Sequence, residues 1–175
     1  MKSLSDAPTK ILIVEDEGIV ALDLQNSLLN LDYDVPHIAD TGEEAIQLAE
    51  DYHPDIVLMD IRLKGEMDGI EAAHIILKTL NIPIIFLTAF ADSLTLERAK
   101  MIEPVGYLLK PFDERDLHVT IEVALHKHIA NQLIKTQKDW LQTVTNGFTQ
   151  HWRWGGDNGQ QWLHYLYESG SGSPH

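Results

Sequence analysis

Cysteine is absent from the sequence, which excludes disulfides, thiol catalysis and thiolate metal sites. Positive charge is scarce: 13 Lys and Arg stand against 27 Asp and Glu, for a formal net charge of −14. A sequence-independent grip on nucleic acid or on an anionic membrane needs a basic face, so neither partner is expected. Long apolar runs are also missing. Met1 to Lys10 is short and polar and does not read as a signal peptide, and no stretch is long enough to span a bilayer. These features point to a cytoplasmic location. The sequence does have apolar content, 44% of 175 residues, sufficient for one good-sized core. The length favours one domain plus an appendage over two full domains.

Short apolar runs alternate with longer stretches of helical period. Ile11-Leu12-Ile13-Val14 is compact and β-branched, and Ile19, Leu22, Leu24, Leu28, Leu29 and Leu31 come after it at helical spacing. Val35 to Ala39 reads as a weaker strand. Thr41-Gly42-Glu43-Glu44 then opens a helix, with Thr41 as N-cap and Glu44 at the capping-box position. Ile56 to Met59, Pro83 to Leu87 and Gly106 to Leu109 read as further strands. Helices are predicted from Gly69 to Leu77, from Asp92 to Met101 and from Asp113 onward. This strict alternation predicts a doubly wound α/β fold, a five-stranded parallel sheet with helices on both faces. Ligands of such sheets sit beyond the carboxyl ends of the strands, where the strand order reverses.

Polar residues converge on that edge. Glu15 and Asp16 stand after the first strand, Asp60 after the third, Thr88 after the fourth and Lys110 after the fifth. Each has a plainer reading alone: a solvated strand end for Glu15-Asp16, a helix N-cap for Asp60, strand propensity for Thr88, an exposed lysine for Lys110. Together they supply the groups that one phosphotransfer site requires. Clustered carboxylates repel one another and favour a raised pKa or a bound cation. Hard oxygen ligands with open positions suit Mg²⁺, and a lysine with a hydroxyl can hold phosphoryl oxygens. An aspartate beside such a cation can act as the nucleophile. The histidines lack this kind of company. His126 and His128 read as surface residues, and His37, His53 and His74 have no second ligand at a metal spacing.

ILIVEDE, DIVLMDIRL, PIIFLTAF and GYLLKPF, in this order and each at a strand end, resemble the receiver domain of two-component response regulators over about Thr9 to His128. The resemblance implies a flavodoxin-like receiver fold with Asp60 as phosphoacceptor. Asp16 and Asp60 would bind Mg²⁺ through their side chains, Glu15 would assist through water, and the Arg62 backbone carbonyl would be a further ligand. Thr88 would be the switch hydroxyl, Lys110 its charge partner, and Tyr107 the aromatic that changes rotamer with it. Lys110-Pro111 would be a cis peptide. A sensor histidine kinase or phosphotransfer protein would be the phosphodonor. The chain would be a switch and not an enzyme, promoting only its own phosphorylation and dephosphorylation.

The family's Met-Pro pair after the phosphoacceptor is missing, and the loop from Asp60 to Gly69 reads one residue longer, which leaves its rigidity and the roles of Glu66 and Asp68 open. Phe90, two residues after Thr88, is bulky enough to restrict access to a phosphoryl group. A haloacid-dehalogenase-like phosphatase also combines Asp, Mg²⁺, Thr and Lys, but places a second Asp two residues after its nucleophile on the first strand. Glu15-Asp16-Glu17 lacks that spacing. The other alternative is a phosphate-independent receiver-like interaction or dimerisation module.

The last helical pattern runs on through Leu117, Ile121, Leu125, Ile129, Leu133 and Ile134 to Trp140, Leu141 and Val144. Val119, Val123, Ala130, Leu133, Trp140 and Val144 form a heptad-like stripe interrupted by His126 and Gln137, the pattern of a short coiled coil between two chains. The competing reading is a single amphipathic helix folded back on the receiver. Lys138-Asp139-Trp140-Leu141-Gln142 resembles the lead-in to a PAS domain, but the residues beyond Gly147 read as a tail. Trp152, Trp154 and Trp162 crowd into it, and it ends in a Gly/Ser run. It is too short for a core of its own, so it either docks its aromatics on another surface or is a truncated or appended segment. The expected organisation is a disordered N-terminus over 1–8, a receiver over 9–128, an extended linker helix over 129–146 and the tail over 147–175.

Overall fold

The computed structural model describes residues 7–89 and 93–153. The expected disordered N-terminus through residue 6, Phe90 and the tail from residue 154 therefore lie outside the described residues. Strands and helices alternate: β1 (Lys10–Val14), α1 (Gly18–Asn30), β2 (Asp34–Ala39), α2 (Gly42–Tyr52), β3 (Ile56–Asp60), α3 (Gly69–Leu80), β4 (Ile84–Thr88), α4 (Ser93–Met101), β5 (Gly106–Leu109) and α5 (Glu114–Arg153). The strands form one parallel sheet in the order β2-β1-β3-β4-β5. The order therefore reverses between β1 and β3, and this puts the crevice beside the carboxyl ends that carry Glu15, Asp16 and Asp60.

The central strands read as unbroken apolar runs because both of their faces are covered. On one face Leu12, Val14, Val57, Met59, Ile84 and Phe86 meet Ala45 and Ala49 of α2, Ala72, Ala73 and Ile76 of α3 and Ala99 of α4. On the other, Ile11, Ile13, Ile56, Leu58, Ile85 and Leu87 meet Leu24 and Leu28 of α1 and Leu117, Ile121 and Ala124 of α5. β2 is the weak strand for a visible reason. Pro36 has no N–H to give to the ladder, and the β1/β2 register slips by one residue where it sits, between Lys10↔Asp34 and Leu12↔His37.

Two local expectations need correction. α1 buries Ala21, Leu24 and Leu28 and not the broad set of leucines its sequence offers; Ile19 is 86% exposed, and Leu22 and Leu29 also face outward. The three buried residues share one stripe of the helix, and Ala21 is small enough to let its first turns approach the sheet. At the start of α2, Thr41 Oγ1 accepts from Glu44 N at 3.2 Å as expected. The Glu44 carboxylate, however, reaches back to Asp40 N and not to the cap residue itself.

The chain divides into a unit ending at Ala130 and a second beginning at Asn131. Within the first, Tyr33 ties the α1–β2 turn to α5: its hydroxyl lies 2.8 Å from His118 Nδ1 and donates to Glu122 Oε1 at 3.1 Å. Burial, and after it the Glu122 charge, pushes the phenol far above its ordinary range. In the second unit, Leu133, Ile134, Trp140, Leu141 and Val144 of α5 are exposed. Among the described residues no helix is long and apolar enough to cross a membrane.

Candidate functional site

Each expected site residue stands at the carboxyl end of its strand because the buried β-run stops there and the chain turns into the next loop. Asp60 is the last residue of β3, and its neighbour across β4 is Leu87. Thr88, one residue further along β4, pairs with Leu109, and its carbonyl accepts from Lys110 N at 2.8 Å. This backbone bond delivers the Lys110 side chain to the crevice. The Lys110-Pro111 peptide is cis.

The centre is a lysine shared by two acids. Lys110 Nζ lies 2.5 Å from Asp60 Oδ2 and 2.5 Å from Glu15 Oε2. The other Asp60 oxygen, Oδ1, accepts from Arg62 N at 2.8 Å. Glu15 is only 2% exposed, and its Oε1 also accepts from Glu17 N. Burial pushes the Glu15 carboxyl above its ordinary value; the Lys110 hydrogen bond pulls it down and repulsion from Asp60 pushes it up again, leaving it raised. One ammonium serves two carboxylates and does not fully neutralise both. Lys110 responds in the complementary sense: burial alone would lower its pKa, but the hydrogen bonds and charges of Asp60 and Glu15 outweigh that and raise it.

Asp16 does not join this pair. Its carboxylate is 3.2 Å from Lys64 Nζ, which also donates to the Asp16 carbonyl at 3.2 Å. Among the described residues no three acidic or histidine side chains gather closely enough to cage a metal ion. The donor set nevertheless fits Mg²⁺. That ion keeps several waters and needs only one or two protein carboxylates, all its preferred donors are hard oxygens, and the Lys110 ammonium already marks the cationic position between Glu15 and Asp60.

Tyr107 packs inward, its ring centroid 6.0 Å from that of Phe86, and its buried hydroxyl has no partner among the described residues. Burial raises its pKa. A buried hydroxyl without a bond carries a desolvation cost, which leaves this side chain poised to respond to a change nearby.

The β3–α3 loop is held at several points. Gly65 turns it at φ 119, and Met67 lies over Gly42, where an added Cβ would come within 3.0 Å of it. Asp68 caps α3 through a reciprocal bond with Glu71 and pairs with Arg98 of α4 at 2.8 Å. Gly69 packs against the Asp60 backbone so closely that a Cβ there would sit 1.9 Å from Asp60 O. Asp68 is thus a structural cap rather than part of the acidic cluster, and Glu66 lines a cleft of about 740 Å³ between α3 and α4. The capping box was readable as Asp68-x-x-Glu71. The Lys64–Asp16 pair had no sequence signal, because it joins loops 48 residues apart.

A sequence model described as the response regulator receiver domain matches residues 11–122. The transcriptional regulatory protein PdtaR of Mycobacterium tuberculosis is 39% identical over 120 residues, covering 69% of this chain and 58% of that protein. The chain thus spans little more than half the length of this relative. The signal receiver domain of a modulated diguanylate cyclase from Desulfovibrio desulfuricans is 44% identical with a TM-score of 0.69, covering 71% of this chain and 99% of that one. The receiver domain of the sensor histidine kinase PA1611 from Pseudomonas aeruginosa, solved with magnesium coordinated in its active site cleft, is 32% identical with a TM-score of 0.63, covering 69% and 99%.

Proposed function

We propose that this chain, which belongs to the response regulator receiver domain family, switches by taking a phosphoryl group from a phosphohistidine onto Asp60. The observation that carries the reading is the Lys110 ammonium held between Asp60 and the buried Glu15 at the strand-order reversal. The donor is a sensor histidine kinase or a phosphotransfer protein. An Asp60 oxygen attacks phosphorus; the O–P bond forms as the N–P bond to the imidazole breaks, and the electron pair stays on the imidazole nitrogen.

Asp16 and Asp60, with Glu15 through water and the Arg62 carbonyl, are the residues to hold Mg²⁺, which when bound neutralises charge on the phosphoryl oxygens during in-line transfer. The Arg62 N–H fixes one Asp60 oxygen and so orients the carboxylate. Lys110 shifts from the carboxylates to the phosphoryl oxygens, and the Thr88 hydroxyl donates to another of them. The added phosphate brings roughly −1.5 to −2 charges at neutral pH. Its pull on Thr88 and Lys110 biases α4, β5 and the start of α5, where Tyr107 changes rotamer with Thr88. Labelled phosphate on a histidine kinase's phosphotransfer domain is expected to move to this chain in the presence of Mg²⁺ and not to Asp60→Asn. Equal labelling of that variant would overturn the assignment.

The proposed organisation is a receiver over 9–128, a linker helix over 129–146 and a tail over 147–175. With a net charge of −14, the output is a protein contact in the cytoplasm and not nucleic acid or membrane. The exposed stripe of Val119, Val123, Leu133, Trp140 and Val144 supports a homodimer through α5. Sedimentation velocity at micromolar concentration should give a two-chain species that Leu133→Glu with Trp140→Glu returns to a single chain. A single-chain species from the unaltered protein would contradict it.

A further inference from the structure

We infer that Lys64 is a built-in competitor for the metal site: its ammonium holds the Asp16 carboxylate and must leave before Mg²⁺ takes that oxygen, so this residue sets the ion's affinity. The inference rests on the Mg²⁺ reading above and adds to it a residue outside the acidic cluster.

Three observations carry it. Lys64 makes two contacts with one residue, the Asp16 carboxylate and the Asp16 carbonyl, each at 3.2 Å, so it lies against the β1–α1 loop and does not merely pass near a charge. It is also delivered there. The loop is pinned before Lys64 by the bond from Arg62 N to Asp60 Oδ1, and after it by the Gly65 turn, by Met67 over Gly42 and by the Asp68 cap. Finally, the charges divide cleanly. Lys110 occupies Glu15 and Asp60, so Asp16 is the acid of the cluster that Lys110 does not touch, and Lys64 is the cation it has.

A divalent cation entering among these acids meets two ammonium groups already in place. Lys110 is largely enclosed and is itself needed for the phosphoryl group. Lys64, with its side chain 75% exposed, can swing into water with little else disturbed. It is therefore the easier of the two to displace, and its hold on Asp16 subtracts directly from the ion's binding. An exposed ion pair of this kind corresponds to an affinity change of about two- to fivefold.

The test is isothermal titration of Mg²⁺ into the full chain, its Lys64→Ala and Lys64→Arg variants, and Lys78→Ala. Lys78, in the last turn of α3, removes the same charge at the far end of that helix. Lys64→Ala is expected to bind Mg²⁺ about two- to fivefold more tightly, with Lys64→Arg and Lys78→Ala close to the unaltered chain. Unchanged or weaker binding by Lys64→Ala overturns the inference while leaving the Mg²⁺ site intact, and an equal gain from Lys78→Ala overturns it by assigning the effect to net charge. No binding by any of the four proteins overturns both the inference and the Mg²⁺ reading beneath it.

Discussion

Gly69→Ala is expected to lower the stability of the receiver by about 3 kcal/mol or more, the upper part of the range for overpacking a tight contact. The added Cβ would sit 1.9 Å from Asp60 O, with Asp60 C at 3.0 Å and Ile61 Cα at 3.2 Å. All three are backbone atoms, so no side chain can rotate away to make room. The first turn of α3 has to lift, or the end of β3 has to bend. Either movement strains the bond from Gly69 N to Ile61 O and shifts the carboxylate of Asp60 itself. Urea denaturation reads the loss of stability. A variant with an unchanged midpoint would mean that α3 does not pack against Asp60 as described.

Lys110→Met is the second large effect. It keeps the hydrocarbon stem and removes only the charge, leaving Glu15 and Asp60 facing each other without a shared cation. Removing one partner of a buried pair costs about 3 to 5 kcal/mol, and partial exposure of Lys110 and Asp60 reduces that to about 2 kcal/mol at neutral pH. The pH dependence has a definite sign. Glu15 already has a raised pKa in the folded state, so the folded protein binds its proton more tightly than the unfolded chain does. Stability from that proton is present at low pH and lost as pH rises through the folded value. Without Lys110 the pKa rises further. The deficit of Lys110→Met should therefore be greatest at neutral pH and shrink as pH falls toward 4.5, the ordinary value for Glu15. A deficit that is constant with pH would exclude carboxylate repulsion as its cause.

The fold was legible because a parallel sheet covered on both faces turns each strand into an unbroken apolar run, and the polar residue that ends the run marks the carboxyl edge. DIVLMD is the plainest case: Ile56 to Met59 are fully buried, and the acid at the end of the run stands at the crevice. The illegible part lies in phase and reach. The leucines of α1 spread around so much of the helix that apolar content alone did not fix its buried side, and Ala21 proved part of the contact. Glycine at 69 was visible, but the Asp60 carbonyl that requires it was not. Lys64 stood in a loop whose length only hinted at a difference, and its partner belongs to another strand's end. Arg62, expected to offer its carbonyl, is seen here through its N–H on Asp60.

The most direct test of the central claim, that Asp60 accepts a phosphoryl group in this crevice, is intact mass spectrometry after incubation with a small acyl phosphate, with and without Mg²⁺, beside Asp60→Asn. The predicted result is a single phosphoryl adduct on the unaltered chain, dependent on Mg²⁺ and absent from the variant. An adduct on Asp60→Asn, or none on a folded chain that binds Mg²⁺, would contradict it.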